Sequence, residues 1–477
     1  MKTKNILLIF FLLVTQAVVA QIMFQRHYGG VENDGGSSVL QTDDGGYLIA
    51  GHTESYGAGG RDIYLIKTDE NGDTLWTRTY GGIGDDQASI LLSSNGNKYL
   101  IVGETSSFGN GSCDVYAVKI QNNGDTIWTK TYGGVDEDCG FGGVQSNDTI
   151  ALIVGSTMSY SPVFNSIYVI KINVNRDTLW ENMYYKNTAN YGFDIIETNL
   201  NEYLITGSTS NVGNNTSRDC FIIKTDNDGD TIWTKTYGGT DDDQAFSACL
   251  TNDNCYIISG TTKSYGQGGF DIFLMKLNAD GDELWMKTYG GIADDWGGTV
   301  QKTIDSGFII TGYTESYGAG GWDVYLIKTD ANGDTLWTRT FGGAGDEWGS
   351  SVKQTSDNGY IISGYTNSYG GNYDAFLIKT NELGIIGFQK IYKSQKYCKV
   401  FPNPNNGVFN IEIDNTENKD LMVSIFDISG RLVYSKNGLF GQNKTARIEI
   451  LNAPNGFYIV NIQSNNLLIN KKIIIKK

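Results

Sequence analysis

Few residues in this chain are suited to acid–base chemistry. Histidine is the commonest general base in enzymes, and the 477 residues include only two, His27 and His52. The two fall at non-equivalent positions of a repeated pattern, and neither adjoins a nucleophile motif such as Gly-x-Ser-x-Gly. We therefore expect both histidines at the surface and predict no histidine-based catalytic site.

Paired carboxylates could support glycoside chemistry, which needs two acids at a suitable separation. Acidic pairs occur at Asp85-Asp86, Asp242-Asp243 and Asp294-Asp295. Each pair returns at the same place in successive repeats, whereas a catalytic site is normally a singular feature. A recurring Asp is typical of a loop in which the carboxylate accepts backbone N–H groups. The sequence therefore favours a non-catalytic protein. The alternative is a carbohydrate hydrolase or lyase that uses Asp carboxylates near the axis round which the repeats would be arranged.

Two acidic hairpins resemble the start of a calcium loop, at residues 69–73 and 330–334. Both lack the Asp-x-Asp-x-Asp-Gly spacing and the distant bidentate acid of such a loop. Asn-Gly and Asp-Gly are also what a hairpin with positive φ angles requires. The ligands of a His/Cys zinc cluster are missing as well. We predict plain turns and no metal or cofactor, with Ca²⁺ as the less favoured alternative.

A strict repeat sets the architecture that must position these residues. Six tryptophans are spaced 52, 52, 53, 52 and 52 residues apart: Trp76, Trp128, Trp180, Trp233, Trp285 and Trp337. Such a period indicates one repeated structural unit. In the first unit, turns rich in Gly and Asp separate four short apolar runs, at residues 37–42, 47–53, 63–67 and 74–80. The pattern predicts a four-stranded antiparallel meander without helices.

Four-stranded units of about fifty residues are typical of propeller blades. The first three strands occur seven times, so the sequence predicts an all-β, seven-bladed β-propeller of four-stranded antiparallel blades. The Trp falls on the fourth strand, where its ring can cover the apolar gap between blades. Residues 22–28 and 385–392 compete for the fourth strand of blade seven. The first would tie the two ends of the ring together, but the pattern leaves the choice open.

Three positions at the edges of loops differ between blades: the residue that enters the first strand, the residue that ends the second strand and the residue before the Asp of the third strand. Blades six and seven are aromatic at all three, whereas blades one to four are almost wholly polar there. Since maintenance of the fold acts on every blade alike, this asymmetry predicts a local binding surface. The predicted ligand-binding residues are Phe270, Trp296, Tyr313, Trp322, Trp348, Tyr365, Tyr373, Asp295, Asp323 and Asp374. Rings would cover the C–H faces of a sugar and carboxylates would accept from its hydroxyls. A protein partner could use the same patch, and a third interpretation is that the rings only fill the gap between the two blades.

The repeat resembles a known group of secreted proteins. Units of the form Trp-Thr-Lys-Thr-Tyr-Gly-Gly, with Asp-Gly-Gly-Tyr and Lys-Thr-Asp-x-x-Gly, resemble secreted seven-bladed β-propeller repeats over roughly residues 22–392. That family has no single activity, so the resemblance implies a fold and no particular chemistry.

The composition changes after residue 392. Apolar runs separated by Asn and Gly turns predict a small C-terminal β-sandwich. The blocks that start at Val400, Val423, Gly456 and Lys471 resemble, in order, the type A C-terminal sorting domain of the type IX secretion system. The resemblance implies that residues 399–477 engage that secretion machinery, and that the domain is then removed or holds the protein at the cell surface. An ordinary β-sandwich module is the alternative.

The N-terminus is typical of a secretory signal peptide. Lys2 and Lys4 precede an apolar run at 6–14, and small residues precede a cleavage site near Ala20. The predicted domains are 1–20 signal peptide, 21–392 propeller, 393–398 linker and 399–477 sorting domain. We predict a secreted or surface-displayed binding protein without a transmembrane anchor, whose partner is an unknown glycan or protein. A net charge of −17 argues against nucleic acid.

Six cysteines would meet oxidising conditions after export. Cys249 and Cys255 flank a turn and could pair, and Cys113 and Cys139 fall in loops that adjacent repeats would place side by side. Cys220 and Cys398 have no obvious partner. Spacing alone does not decide pairing, so free thiols are the alternative for each.

Overall fold

The computed structural model describes residues 22–94, 97–147, 149–160, 164–186, 188–198, 201–210, 217–369, 371–386, 398–413, 422–427, 432–436, 445–464 and 467–477. Regular structure in these residues is entirely strand. None of them forms a helix of the length and apolarity that a membrane crossing requires. The chain divides into two compact units, Met1–Ile386 and Gly387–Lys477. The predicted signal peptide and linker fall largely outside the described residues, so those domain limits stay predictions.

The first unit consists of seven antiparallel sheets, each with four strands. The first strands are Asp34–Gln41, Asp86–Ser94, Asp138–Asn147, Asn190–Glu197, Asp243–Leu250, Asp295–Lys302 and Glu347–Gln354. The second strands are Tyr47–Thr53, Lys98–Thr105, Ile150–Thr157, Tyr203–Ser210, Tyr256–Thr262, Phe308–Thr314 and Tyr360–Thr366. The third strands are Asp62–Thr68, Asp114–Gln121, Ser166–Asn173, Arg218–Thr225, Asp271–Leu277, Asp323–Thr329 and Asp374–Thr380. The fourth strands of blades one to six are Thr74–Tyr80, Thr126–Tyr132, Thr178–Tyr184, Thr231–Tyr237, Glu283–Tyr289 and Thr335–Phe341.

The seven sheets close into a ring. Each first strand contacts the first strand of the next sheet, and Glu347–Gln354 contacts Asp34–Gln41 to complete the circle. Burial falls outward within a sheet: the third strand Asp62–Thr68 is buried throughout, whereas most of Thr74–Tyr80 is exposed. This arrangement is a seven-bladed β-propeller, and the predicted fold class is confirmed.

Blade seven is completed by the N-terminal segment. Phe24–Tyr28 pairs antiparallel with Asp374–Thr380, with Phe24 opposite Lys379 and Tyr28 opposite Ala375. The outer strand of the last blade therefore comes from the start of the described chain, which links both ends of the ring and covers an open strand edge. Residues 387–392 of the competing segment lie outside the described residues.

The acidic hairpins between third and fourth strands are turns held by their own side chains. Asp69 Oδ1 accepts the backbone N–H groups of Asn71 and Asp73, both at 2.9 Å. Asp330 Oδ1 does the same for Asn332 and Asp334, both at 2.8 Å. These carboxylate oxygens are engaged within the turn, so the local geometry accounts for the motif that resembles a calcium loop.

Each hairpin also receives an aromatic ring from the preceding blade. Gly333 has φ +77°, and a Cβ atom placed on it would lie 2.8 Å from the ring of Trp285. The same ring-on-glycine contact recurs round the propeller: Trp76 on Gly124, Trp180 on Gly229, Trp233 on Gly281 and Trp337 on Gly384. In blade seven Phe24 replaces the indole, and its ring lies against Gly72. Six of these hairpins have glycine, which combines the positive φ with so close an approach, whereas the hairpin of blade three has Arg176, with φ +68°, at the equivalent position.

A tyrosine hydroxyl reinforces most of these contacts. Tyr289 donates its hydroxyl to the carbonyl of Gly333 at 2.7 Å, from the same strand as Trp285. Equivalent bonds join Tyr28 to Gly72, Tyr80 to Gly124, Tyr132 to Arg176, Tyr184 to Gly229 and Tyr237 to Gly281. The predicted role of the repeated tryptophans in covering the gap between blades therefore agrees with the geometry.

Replacing Gly333 with Ala is expected to destabilise the propeller more than replacing Gly371 with Ala. Both glycines have positive φ, at +77° and +90°, so the backbone strain of about 1–2 kcal/mol applies to both variants. At Gly333 the new methyl group must also displace Trp285, whereas no atom lies within 4 Å at Gly371. Thermal unfolding of the two variants measures the difference, and equal losses would contradict a stabilising contact between ring and glycine.

The second unit is a small β-sandwich. One sheet contains Cys398–Phe401, Val408–Ile413 and Thr445–Glu449. The other contains Leu432–Lys436, Met422–Asp427, Gly456–Ser464 and Leu467–Ile475, in that spatial order. Both sheets contribute to one apolar core, in which Phe409 and Ile411 pack with Ile425 and Val460.

The terminal basic block is part of this sandwich. In the edge strand Leu467–Ile475, Ile473 and Ile475 are buried while Lys472 is exposed. Asn403 holds this strand, because its side chain donates to the carbonyl of Lys472 at 2.9 Å and accepts the N–H of Ile474 at 2.8 Å. The Pro-Asn-Pro block and the basic block thus form one structural feature.

Candidate functional site

Most of the repeated acids hold loops. Asp34 Oδ2 accepts the N–H of Gly30 and the hydroxyl of Ser55, both at 2.7 Å. The equivalent acids bind the second glycine of the Gly-Gly pair in other blades: Asp86 with Gly82, Asp138 with Gly134, Asp243 with Gly239, Asp295 with Gly291 and Glu347 with Gly343. These bonds explain why an acid returns at the start of nearly every first strand.

Two predicted ligand-binding acids belong to this loop chemistry. Asp295 is fully buried and accepts the N–H of Gly291 and the hydroxyl of Ser316, both at 2.7 Å. Asp323 is 2% exposed and accepts the N–H of Ala319 at 2.8 Å. Both carboxylates are buried and bind their own loops, which does not favour contact with the hydroxyls of an exposed ligand, and their ligand-binding role stays a prediction. Asp374 is half-buried at the equivalent third-strand position.

Close pairs of carboxylates recur at the blade boundaries. Burial raises the pKa of Asp62, and the neighbouring carboxylate of Asp86 adds to the rise. The pKa of Asp271 is raised in the same way by burial and by Asp295. A pair that returns from blade to blade does not have the singular character of a catalytic pair.

The two histidines are half-buried. His27 stacks on Tyr369, with ring centroids 4.0 Å apart. Burial lowers the pKa of both His27 and His52, and Arg61 lowers that of His52 further. Both imidazoles are therefore held in the neutral form at lower pH than usual.

The seven predicted aromatic residues form one continuous group, here called the aromatic cluster: Phe270, Trp296, Tyr313, Trp322, Trp348, Tyr365 and Tyr373. All seven side chains are half-buried. On the side of blades five and six, the ring centroids of Phe270 and Trp296 are 4.5 Å apart, and those of Trp296 and Tyr313 are 6.3 Å apart. Tyr313 then contacts Trp322 edge-on at 5.0 Å.

Trp348 is the centre of the other half of the cluster. Its ring centroid is 6.1 Å from that of Tyr313, 4.7 Å from Tyr365 and 5.2 Å from Tyr373. The Tyr373 ring is nearly parallel to the indole, at 18°, whereas the Tyr365 ring is nearly perpendicular, at 81°. Stacked and edge-on pairs at these separations are favourable, so the cluster is a continuous shelf of ring surface.

The backbone brings these residues together by a rule that applies at nearly every blade boundary. The carbonyl of Trp322, just before a third strand, accepts the N–H of Glu347, which precedes Trp348 in the next blade, at 2.6 Å. Equivalent bonds join Arg61 to Asp86, Cys113 to Asp138, Asn165 to Asn190, Phe270 to Asp295 and Tyr373 to Asp34. Register then places Tyr365 opposite Trp348 and Tyr313 opposite Trp296. At the boundary of blades six and seven the side chains of Tyr313, Trp322 and Trp348 meet.

An acid that the sequence analysis did not single out lies within the cluster. Asp346 Oδ1 accepts the backbone N–H of Trp322 at 3.1 Å, and Oδ2 is 3.4 Å from the hydroxyl of Tyr373. Burial raises the pKa of Tyr373, and Asp346 adds to the rise. Asp346 aligns with Asp85 and Asp294 in the repeat. Because an acid recurs at this position, the sequence offers no reason to expect Asp346 beside two rings of the cluster.

The cluster borders the central channel of the ring, a cavity of about 970 Å³. First strands of all seven blades line this channel, and Trp348, Tyr365 and Tyr373 contribute to its wall. His52 and Arg61 face the same space from blade one. Aromatic and cationic groups therefore share one mouth of the channel.

Inside the channel, Asp194 stands where other blades have Ser, Thr or an uncharged residue. Its Oδ2 accepts the N–H of Ala248 at 3.0 Å and the hydroxyl of Ser247 at 3.1 Å, both from the next blade. Ser38 accepts the N–H of Leu91 in the equivalent bond, at 3.1 Å. Asp194 thus joins two first strands by hydrogen bonds, a role that position-by-position comparison of the repeats could have revealed.

The charge of Asp194 should make stability depend on pH. Enclosure by the channel wall raises the pKa of this carboxyl. Its contribution to stability is therefore complete below the ordinary Asp pKa and is lost as the pH rises through the raised value. Ser at this position keeps the bond to Ala248 without the charge. We expect the melting temperature of Asp194→Ser relative to the wild type to rise from pH 4 to pH 7.

Asp194→Ala is the matched control, since it removes the bond as well as the charge. Loss of the hydrogen bond should cost about 1 kcal/mol relative to Asp194→Ser. A relative stability of Asp194→Ser that is unchanged or falls with pH would contradict the assigned role.

All six cysteines carry free thiols, so neither disulfide considered from the sequence is formed. Cys113 and Cys139 nonetheless lie side by side at the boundary of blades two and three, with Glu104 beside them. This confirms only the expected proximity of that pair.

Comparison with known proteins identifies the C-terminal unit. Residues 399–476 match the family model described as a secretion system C-terminal sorting domain. Among curated proteins, the chain is 22% identical over 365 residues to the regulatory protein FlaEY of Caulobacter vibrioides, across 71% of this chain. The chain spans about a third of the length of that relative, with 35% of it covered.

Solved structures of low sequence identity are also similar. A puromycin hydrolase has a TM-score of 0.46 and 9% identity, with 81% of this chain and 58% of that chain covered. An ancestral GH74 enzyme has a TM-score of 0.44 and 11% identity, covering 96% and 64%. The α-L-arabinanase of Penicillium chrysogenum has a TM-score of 0.43 and 10% identity, covering 76% and 100%. Such values carry no argument about the activity of this chain.

The sheet order, the ring closure and the matched C-terminal residues lead to one description. The chain is a seven-bladed β-propeller followed by a C-terminal sorting domain of the type IX secretion system, which supports secretion or display at the outer surface of the cell.

Proposed function

We propose that this protein is a non-catalytic carbohydrate-binding propeller, exported by the type IX route, whose ligand lies on the aromatic cluster of blades five to seven. The observation that carries the proposal is the continuity of seven half-buried rings, three of which line one mouth of the channel. At the boundary of blades four and five the same three positions hold the polar residues Ser208, Arg218 and Gln244.

The polar groups around the rings suit hydroxyl-rich ligands. The Asp346 carboxylate and the Tyr373 hydroxyl lie together at one edge of the cluster, and Lys263 lies over the Phe270 ring at 5.3 Å. Ring faces would cover the C–H surface of a sugar while these groups bind its hydroxyls. Asp346 thus takes the acceptor role first predicted for Asp295 and Asp323.

Packing alone accounts poorly for one feature of the cluster. The indole N–H of Trp348 is buried and has no hydrogen-bond partner among the described residues. A buried donor without a partner costs about 1–3 kcal/mol. A residue chosen only to fill the gap between blades would carry no such donor, which favours a functional reason for an indole at this place.

The rival function is a propeller-type carbohydrate hydrolase or lyase. It needs two acids with distinct environments, at a separation suited to the reaction. The close acid pairs of the described residues recur between blades and bind their own loops, and Asp194 joins two first strands. Binding is therefore the better supported function.

The double variant Trp322→Ala and Trp348→Ala is expected to lose carbohydrate binding while the propeller stays folded. Each substitution removes a ring that contacts Tyr313, so the shelf is interrupted at its centre. A glycan array with the wild-type protein identifies the ligand class, and titration with the best-bound glycan measures the loss. We expect at least a tenfold weakening, equivalent to about 1.4 kcal/mol.

Asn165→Ala and Gln244→Ala are matched controls, because they truncate equivalent loop-edge positions at polar boundaries. Both should bind as the wild type does. A melting temperature that falls sharply only in the aromatic variant would support packing instead. If the wild type binds a protein partner and no glycan, the ligand class is a protein instead of a carbohydrate. If the wild type cleaves a glycan, the hydrolase or lyase function is favoured.

Deletion of residues 399–477 is expected to stop export. The C-terminal sandwich carries the sorting-domain match, and its loss should leave the propeller on the periplasmic side of the outer membrane. Fractionation with an antibody against the propeller measures the distribution. The Trp322→Ala and Trp348→Ala double variant should be exported normally, since its sorting domain is intact, and export of the truncated chain would contradict this role.

A further inference from the structure

The boundary between blades two and three differs from every other boundary. Its three meeting side chains are Glu104, at the end of a second strand, Cys113, before a third strand, and Cys139, at the start of the next first strand. They occupy the positions that hold aromatic rings at the boundary of blades six and seven. No other boundary has a thiol at two of these positions.

The three side chains converge on one point. Both sulfur atoms and a carboxylate oxygen of Glu104 lie within 4.8 Å of one another. Cys139 is 5% exposed, and the other two residues are half-buried. The backbone fixes this arrangement, since the carbonyl of Cys113 accepts the N–H of Asp138 at 2.7 Å.

Neighbouring residues hold the carboxylate and shield the thiols. Gln87 lies opposite Glu104 in the strand register, and its side-chain amide donates to Glu104 Oε1. Glu137 is exposed at the rim, and its Oε1 atom is 3.6 Å from Cys139 Sγ. A donor set with an orienting hydrogen bond behind it is typical of metal sites.

We propose that Glu104, Cys113 and Cys139 form a binding site for a thiophilic divalent cation of the zinc class. Two thiolates and one carboxylate supply three ligands, and water or Glu137 takes the fourth position of a tetrahedral site. On binding, the cation displaces one proton from each thiol, and both protons pass to solvent. The site crosses two blades, so the bound ion joins them.

The charge balance supports a cation at this point. Two thiolates and a carboxylate would place three negative charges together in a partly buried place. A divalent ion compensates most of that negative charge. The two sulfur atoms are not bonded to each other, and a disulfide would leave the third donor unexplained.

The experiment loads full-length purified protein with Zn²⁺, removes free metal and measures the metal content together with the intact mass under native conditions. We expect one Zn²⁺ per chain in the wild type and none in Cys113→Ser with Cys139→Ser. Cys255→Ser changes a hairpin thiol away from the site and should keep its metal. Cobalt(II) should give thiolate-to-metal absorption in the wild type and not in the double variant.

Graded substitutions separate ligands from a merely structural cluster. Gln87→Ala should weaken Zn²⁺ binding about 10- to 100-fold through loss of the orienting bond, and Glu104→Ala should weaken it more. Affinity should also fall on acidification, since protons compete for the thiolates. Wild-type protein in which Cys113 and Cys139 can both be alkylated but no Zn²⁺ is bound would overturn the proposal.

If the mass of the denatured wild-type protein is lower by two hydrogens, and Cys113 and Cys139 resist alkylation, the two residues form a disulfide and the metal proposal is overturned. Neither outcome bears on the aromatic cluster, because the two sites lie at different boundaries. The metal proposal and the carbohydrate proposal therefore succeed or fail separately.

Discussion

The contact between an outer-strand aromatic ring and the glycine hairpin of the next blade is the interaction on which the propeller depends. The ring needs a hairpin without a side chain, and the hairpin needs a residue with positive φ, so glycine meets both demands. In most blades a tyrosine hydroxyl from the same strand binds that hairpin. Phe24 and Tyr28 make the same contacts with Gly72, so this interface occurs at six hairpins of the ring, and the hairpin of blade three has Arg176 in place of the glycine.

This recurring interface frees other positions for function. The inner acids are occupied by Gly-Gly loops and serine hydroxyls, and the hairpin acids hold their own turns. A backbone bond then joins the residue before each third strand to the next first strand at nearly every boundary. Because this bond does not depend on side chains, the three residues beside it can change without cost to the ring.

Two boundaries use that freedom for different chemistry. At one, Tyr313, Trp322 and Trp348 extend a shelf of ring surface to the mouth of the channel. At another, a carboxylate and two thiols replace the rings. The same backbone geometry brings ring faces together at the first boundary and a carboxylate and two thiols within 4.8 Å of one another at the second. The boundary of blades one and two, with Arg61 and Gln87, is polar.

The sequence by itself determined the fold, the number of blades and the aromatic cluster, because each depends on local pattern. A 52-residue period, strand alternation and turn residues act over short stretches of chain, and residues at equivalent places in a repeat must meet at equivalent places in the ring. Only the tertiary structure decided which segment completes blade seven, since Phe24 and the third strand of that blade are far apart in the chain. It also decided the roles of individual acids. Asp295, Asp346 and Asp194 are the same residue type, yet Asp295 is buried in a loop, Asp346 lies beside the rings and Asp194 joins two first strands in the channel. A carboxylate takes its role from the donors and the solvent around it, and these are contributed by other blades.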